Sequence, residues 1–408
     1  MESNRQEGET RARGLRDAVF VYLLIFVSGS QVFMARPDTL LILVFLFILC
    51  AWLLFSDRKI NNGFALYLIV IASLLLVMHL YTDGSLSRST VISVPMKLTL
   101  AYLILRLVGD NFAETYIKVV GFLAAVSLFG YFTDTYRLFD GVIRHLPNLG
   151  ASGYEGIFYV YRFRDHIGRN NSIFFEPGAY QIFLNTALFM LFFVKTNFSV
   201  RRRWLYIFVL GAALLSTFSA TGYVMLAATL GLVLIKSKLI SAQLKLALAG
   251  VVLVFMVLGA AKLQSVVIDK FDSFFAIQDL TDSRNRRSFD LLVDLEIIKR
   301  HVFGAGHRTY FREFSAIGLT GPGKASSNGI TLTFAIYGLP FGLFLFASYY
   351  WFFAKSFRGI LMRLIPFGML MLFLVSESYY VFTPYCLAII AAIFAYDHRG
   401  TPDEAVSD

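Results

Sequence analysis

Charge is scarce in this chain. Only 16% of its 408 residues are Asp, Glu, Lys or Arg, against about 25% in soluble domains. Hydrophobic residues reach 57%, where soluble domains hold about 45–50%. The two shifts together exclude an ordinary water-soluble globule. Cysteine is almost missing: Cys50 and Cys386 stand alone, each inside an apolar run. Two such thiols give neither a metal spacing nor a disulfide framework, and they read as buried packing. Signature motifs are missing too. There is no Walker-type phosphate loop, His-Glu-x-x-His helix or Gly-x-Ser-x-Gly elbow, and no Asp-x-Asp pair for a nucleotide-sugar metal. Neither a metal site nor a cofactor is expected. Acids at mid-membrane depth, which a proton or ion relay would use, are also lacking. Lys97, Arg106, Lys118 and Glu377 are the few charges within or at the ends of the apolar runs.

What the chain has in quantity is apolar length. Phenylalanine alone supplies 42 residues, which suits a surface facing lipid. A helix of roughly 17–25 apolar residues crosses a bilayer of about 30 Å. The hydropathy pattern predicts twelve spans: 17–35, 39–56, 63–81, 90–108, 115–133, 176–194, 204–220, 222–236, 244–262, 328–354, 361–376 and 381–396. The fold expected is an all-α polytopic membrane protein. A tail, 1–16, precedes helices one to five in 17–133. A first large loop follows at 134–175, then helices six to nine in 176–262. A second large loop occupies 263–327, helices ten to twelve 328–396, and a closing tail 397–408. The first apolar run lacks a small-residue cleavage site, so a retained helix is expected rather than a cleaved leader.

Lys and Arg in the short connections orient the spans. Lys59, Lys195, Arg201, Arg202, Arg203, Lys236, Lys355, Arg358 and Arg363 fall on one side. That side is expected to be cytoplasmic and to hold both termini. Both large loops then lie outside. They also carry cations, which orientation does not require there. The first has Arg162, Arg164 and Arg169, the second Arg284, Arg287, Arg308 and Arg312. One reading is a solvated surface of balanced ion pairs. The other is an anion site, because a guanidinium grips phosphate oxygens bidentately and keeps its charge when half-buried. The spacing predicts a helix from Ser283 to Arg300, with Phe289, Leu292, Leu295 and Ile298 as its apolar stripe and Gly304 and Gly306 ending it. Arg284 and Arg287 are neighbours on that helix.

Two short segments carry candidate chemistry. Arg169-Asn-Asn-Ser-Ile-Phe-Phe-Glu176-Pro177-Gly178 leads into the sixth span. Pro177 fits a first helical turn. Glu176 before it is a candidate general base, or simply an acid favoured by the helix N-terminus. The second segment runs from Gly304-Ala-Gly306-His307-Arg308 to Ser326-Ser327-Asn328. His307 is a candidate acid or base, and Asn328 a substrate-binding residue or a cap for the tenth span.

With these residues in place, the chain resembles the Wzy-type O-antigen polymerases and, more distantly, the O-antigen ligases. The matching pieces are Ser172-Ile-Phe-Phe-Glu176-Pro177-Gly178, Ser216-Thr-Phe-Ser219-Ala-Thr-Gly222, Gly304-Ala-Gly306, and Ser327-Asn328 with Tyr337-Gly338-Leu-Pro-Phe-Gly342. The resemblance implies a GT-C-like helical fold in a bacterial inner membrane. It implies a glycosyltransferase that joins undecaprenyl-pyrophosphate-linked oligosaccharide repeats at the periplasmic face. Membrane lipid and a chain-length regulator protein are the further partners it suggests; nucleic acid is not among them. The ligases often place a histidine beside the Asn of the late motif, where this chain has Ser326 and Ser327. A ligase, which moves polymer to lipid A-core, and a flippase without chemistry are the alternatives.

Overall fold

The structure, a computed structural model, describes residues 2–56, 59–133, 168–236, 286–317 and 325–396, with backbone alone for 2–11, 236 and 286–289. The described chain is helical. In order come α1 (Glu2–Phe26), α2 (Gln31–Ala35), α3 (Pro37–Phe55), α4 (Asn62–Tyr81), α5 (Arg88–Val108), α6 (Phe112–Phe132) and α7 (Pro177–Phe193). Then follow α8 (Val200–Ser216), α9 (Ala220–Lys236), α10 (Arg286–Arg300), α11 (Gly306–Ile317), α12 (Gly329–Ser356), α13 (Ile360–Ser376) and α14 (Pro384–Ala395). Among the described residues no strand forms; one isolated bridge joins Ser30 to Phe174.

The predicted apolar stretches fall on helices, except 244–262, which lies outside the described residues. Among the described residues, four helical runs are long and apolar enough to cross a membrane: α3, α4, the run Arg88–Phe132 and α12. Their outer surface has the matching chemistry. On α3, Ile42, Leu43, Leu46, Phe47, Leu53 and Leu54 are all exposed. So wide an apolar face is costly in water and at home in lipid.

Two boundaries differ from expectation. The first span breaks at Val27–Ser30 instead of running to residue 35. There Ser30 accepts from Phe33 N to cap α2, and Gln31 N donates to Ile173 O at 2.8 Å. The backbone leaves the helix because a distant segment satisfies it. The turn expected at 219–222 falls earlier, at 217–219, where Phe218 has φ +48°. Thr217 Oγ1 accepts from Ser219 N there, a local turn that competes with the helix.

The chain forms two compact units. One comprises Met1–Ile69, Val94–Ser219 and Phe382–Asp408. Its central helix is α6, packed against α1, α7 and α8. Small residues make that possible: Gly121, Ala124, Ser127 and Gly130 recur every third position on the buried side. A methyl group at Gly121 would lie 2.6 Å from the Tyr206 ring of α8, so only glycine admits the ring without a shift. At another end, Arg106 Nη1 donates to Ala395 O at 3.0 Å and satisfies the last turn of α14. A cation at a helix C-terminus is favourably placed.

The other unit comprises Val70–Ser93 and Ala220–Val381, with α12 packed against α10, α11 and α13. α12 is not a straight rod. Gly338 sits at φ +79° and ψ 163°, and Pro340 follows. The break frees backbone groups that apolar surroundings would penalise. The segment after α10 supplies their partners: Ala305 N donates to Ala335 O and Leu339 N to Val302 O, both at 2.9 Å. The fit is tight. A methyl group on Gly304, at φ +97°, would stand 2.7 Å from Ile336 O, and one on Gly338 would meet the Phe303 carbonyl carbon. The late glycine motifs of the sequence are each other's partners.

Candidate functional site

In the first unit, the segment 169–176 is built by its own side chains. Asn170 is 1% exposed. Its Nδ2 donates to Ser216 Oγ at 2.9 Å and to Ser127 Oγ at 3.1 Å, tying the segment to α8 and α6. Its Oδ1 accepts from Ser172 N at 3.1 Å. Asn171 Nδ2 donates to Phe174 O at 2.7 Å, and Phe174 stacks on Tyr180 and Phe183 of α7. Ser172 is the outlier. It is fully buried at φ +52°, and its hydroxyl has no hydrogen-bond partner among the described residues. Non-glycine residues in that conformation, and buried unpaired polar groups, each carry a cost.

Two of the site residues expected in this unit, Arg169 and Glu176, are described. Arg169 is half-buried and donates Nε to Thr217 O at 2.9 Å, next to the end of α8. Glu176 occupies the N-cap position of α7, with Pro177 following, and makes no side-chain cap bond. It is half-buried and has no side-chain hydrogen bond or ion pair to another described residue. Arg162, Arg164 and Arg284 lie outside the described residues. Arg287 is described by its backbone alone, in the first turn of α10.

The second unit contains His307, Arg308, Arg312 and Asn328. Ser85 anchors the start of α11: Arg308 N donates to Ser85 O and Thr309 N to Ser85 Oγ, at 3.1 and 2.9 Å. Gly306 has φ +68°, and a methyl there would lie 2.7 Å from Leu86 N. His307 is held at both ring nitrogens by long contacts of 3.5 Å, to Ser87 N and the Tyr337 hydroxyl. An amide can only donate, so Nδ1 carries the lone pair and Nε2 the proton. Burial pushes the His307 pKa down, which keeps the ring neutral near pH 7. The lone pair that a base would use faces a backbone amide.

Arg308 and Arg312 differ from the other cations here. They are exposed, one helical turn apart on α11, with no acidic partner among the described residues. Lys299 and Arg300, by contrast, both reach Glu296, at 3.7 and 3.0 Å. Asn328 caps α12: its Oδ1 accepts from Ile330 N and Thr331 N at 3.1 and 3.3 Å. Its Nδ2 has no partner among the described residues.

No protein-family model matches the chain, and no curated protein matches it.

Asp290 and Asp294, which sequence reasoning passed over, anchor a polar cluster on α10. Asp294 is fully buried. It accepts from Tyr310 at 2.8 Å and from Thr331 Oγ1 at 2.5 Å. One turn earlier, Asp290 Oδ2 accepts from both Ser327 N and Oγ, at 2.9 and 2.8 Å. Burial raises the Asp294 carboxyl to about 6 against the pull of its hydroxyl donors. The predicted stripe of α10 is corrected by this cluster. Val293 and Ile297 are buried, while Leu292 and Leu295 are each 41% exposed. The inward side runs 290, 293, 294, 297, 298, a proper helical period once aspartates count as inward. α11 was not expected at all, although Tyr310 and Phe314, four apart and both buried, carry its signal.

Proposed function

We propose that this protein is a membrane glycosyltransferase that polymerises lipid-pyrophosphate-linked oligosaccharide repeats. In this reading it has twelve spans in a GT-C-like arrangement in a bacterial inner membrane, with both termini cytoplasmic. The large loops are periplasmic. The observation that carries the reading is the cationic side of α11. Arg308 and Arg312 stand one turn apart, exposed and without an acidic partner among the described residues. Two guanidiniums at that spacing suit the adjacent phosphates of a pyrophosphate leaving group. Bond breaking puts charge on that group, and fixed cations stabilise it as it develops. The acceptor sugar hydroxyl forms the new bond at the donor's anomeric carbon, the bond to pyrophosphate breaks, and the hydroxyl proton goes to a base. Asn328 Nδ2 adds a polar donor at the start of α12.

The test uses purified full-length protein in vesicles with one lipid-linked repeat and no other acceptor. A ladder of lengthening lipid-linked products is expected. Product only after lipid A-core is added would mean a ligase, and no product would return the reading to transport. Replacing Arg308 and Arg312 together by Ala should lower turnover by about 10²-fold or more, as loss of charge-stabilising donors does. Lys299→Ala, whose cation is shared with Glu296, should stay near wild type. Equal activity in all three proteins would sink the pyrophosphate assignment.

A further inference from the structure

Asp294 is an unusual choice for its place. An asparagine would fill the same space and could also be hydrogen-bonded, with no charge to desolvate. The carboxyl group differs in that it can gain or lose a proton. Its partners lie on two helices: Tyr310 on α11 and Thr331 in the first turn of α12. That turn also holds Asn328, whose N–H donates to Ser326 Oγ at 3.0 Å. The Tyr310 hydroxyl accepts from Ser326 N at 3.1 Å, which closes the cluster.

We propose that Asp294 is a positioning residue: through Tyr310 and Thr331 it sets how firmly helix α10, which carries Arg287, is held on the start of α12, and a proton on its carboxyl group tightens that hold. The service of this hold to a lipid-pyrophosphate donor rests on the transferase reading; the hold itself does not.

The groups facing Asp294 support a proton-sensitive contact. On its own helix, Asp290 adds a like charge that disfavours ionisation. From α11 comes the Tyr310 phenol, kept neutral because burial and the two aspartates raise its pKa. From α12 and the turn before it come only the hydroxyls of Thr331 and Ser326. His301 and Glu313 form a separate pair between the end of α10 and α11, Nε2 to Oε1 at 2.9 Å. Glu296, Lys299 and Arg300 pair with one another on the exposed side. No cation among the described residues compensates Asp294.

The direction follows from linkage. Burial raises the docked carboxyl to about 6, above its ordinary value of about 3.9. Docking therefore takes up a proton between those values. The hold is strongest below the ordinary carboxylate range and weakens as pH rises through about 6. A displacement of about two units corresponds to roughly a hundredfold change in the docking equilibrium.

Amide hydrogen exchange on the full-length protein in lipid nanodiscs tests this between pH 5 and 8, with rates corrected for intrinsic pH dependence. Protection over 286–300 should fall by about tenfold across that range, the rest of the hundredfold change lying below pH 5. Asp294→Asn, permanently neutral, should keep the high protection at every pH. Thr331→Val removes a bond that favours the charged form, so its step should move to higher pH. A flat wild-type profile, or a step that survives in Asp294→Asn, overturns the proposal. In the transfer assay, KM for the lipid-linked repeat should rise with pH in wild type and stay flat in Asp294→Asn, with kcat little changed. A KM that ignores the exchange step refutes the positioning role. A wild-type protein with no transfer at any pH refutes the transferase reading, while the exchange data still decide the hold.

Discussion

At the scale of single residues, Ser172 concentrates two costs. Its φ of +52° is one that side chains with a Cβ rarely adopt, and its buried hydroxyl has no partner among the described residues. Glycine would relieve both. Ser172→Gly should raise the stability of the purified protein by about 1 kcal/mol, seen as a higher melting temperature in detergent. A lower melting temperature would mean that the hydroxyl is satisfied in the folded protein. Strain of this kind often persists where surrounding bonds over-determine a segment, and Asn170 and Asn171 supply such bonds on either side. The sequence made Arg169–Gly178 stand out, and Glu176 does occupy the N-cap position before Pro177. It could not reveal that Asn170 is the anchor, because the partners Ser127 and Ser216 are distant in the chain.

At the scale of elements, the paired glycines give the sharpest expectation. Gly304→Ala and Gly338→Ala each force a side chain into a positive-φ position already filled by backbone. Each should cost about 2 kcal/mol or more, read as a lowered midpoint in thermal unfolding and loss of monodisperse protein. Unchanged midpoints would mean that α12 can straighten without penalty. Both glycine motifs were visible in the sequence, and so were the long apolar helices, because apolar length needs no partner to be recognised. The inward face of α10 was not. The rule that charged residues face water misplaced Asp290 and Asp294, which turn inward because Ser327, Tyr310 and Thr331 wait for them. α11 escaped notice for a related reason. Its start is fixed by Ser85, more than two hundred residues earlier, and its polar residues outnumber its apolar ones.

At the scale of the whole molecule, the proposed orientation has its own test. Single cysteines introduced at Lys195 and Arg202 should react with an impermeant thiol reagent only after cells are opened. Cysteines at Arg308 and Arg312 should react in cells with a permeabilised outer membrane alone. The reverse pattern would invert the proposed topology and remove the external working face. Aromatic rings already accompany cations on the proposed cytoplasmic side. Arg16 lies over Phe55, Lys118 over Phe198 and Lys355 over Trp351, at 5.5, 5.9 and 4.6 Å, as membrane-interface residues commonly do. The joint at Gly304 and Gly338 has a consequence for inheritance. Neither position can drift alone, since any side chain at one meets the backbone of the other. The segments 302–306 and 335–342 should therefore pass between related proteins as one block. A hybrid that exchanges only one of them should fail to assemble, and a hybrid that exchanges both should fold.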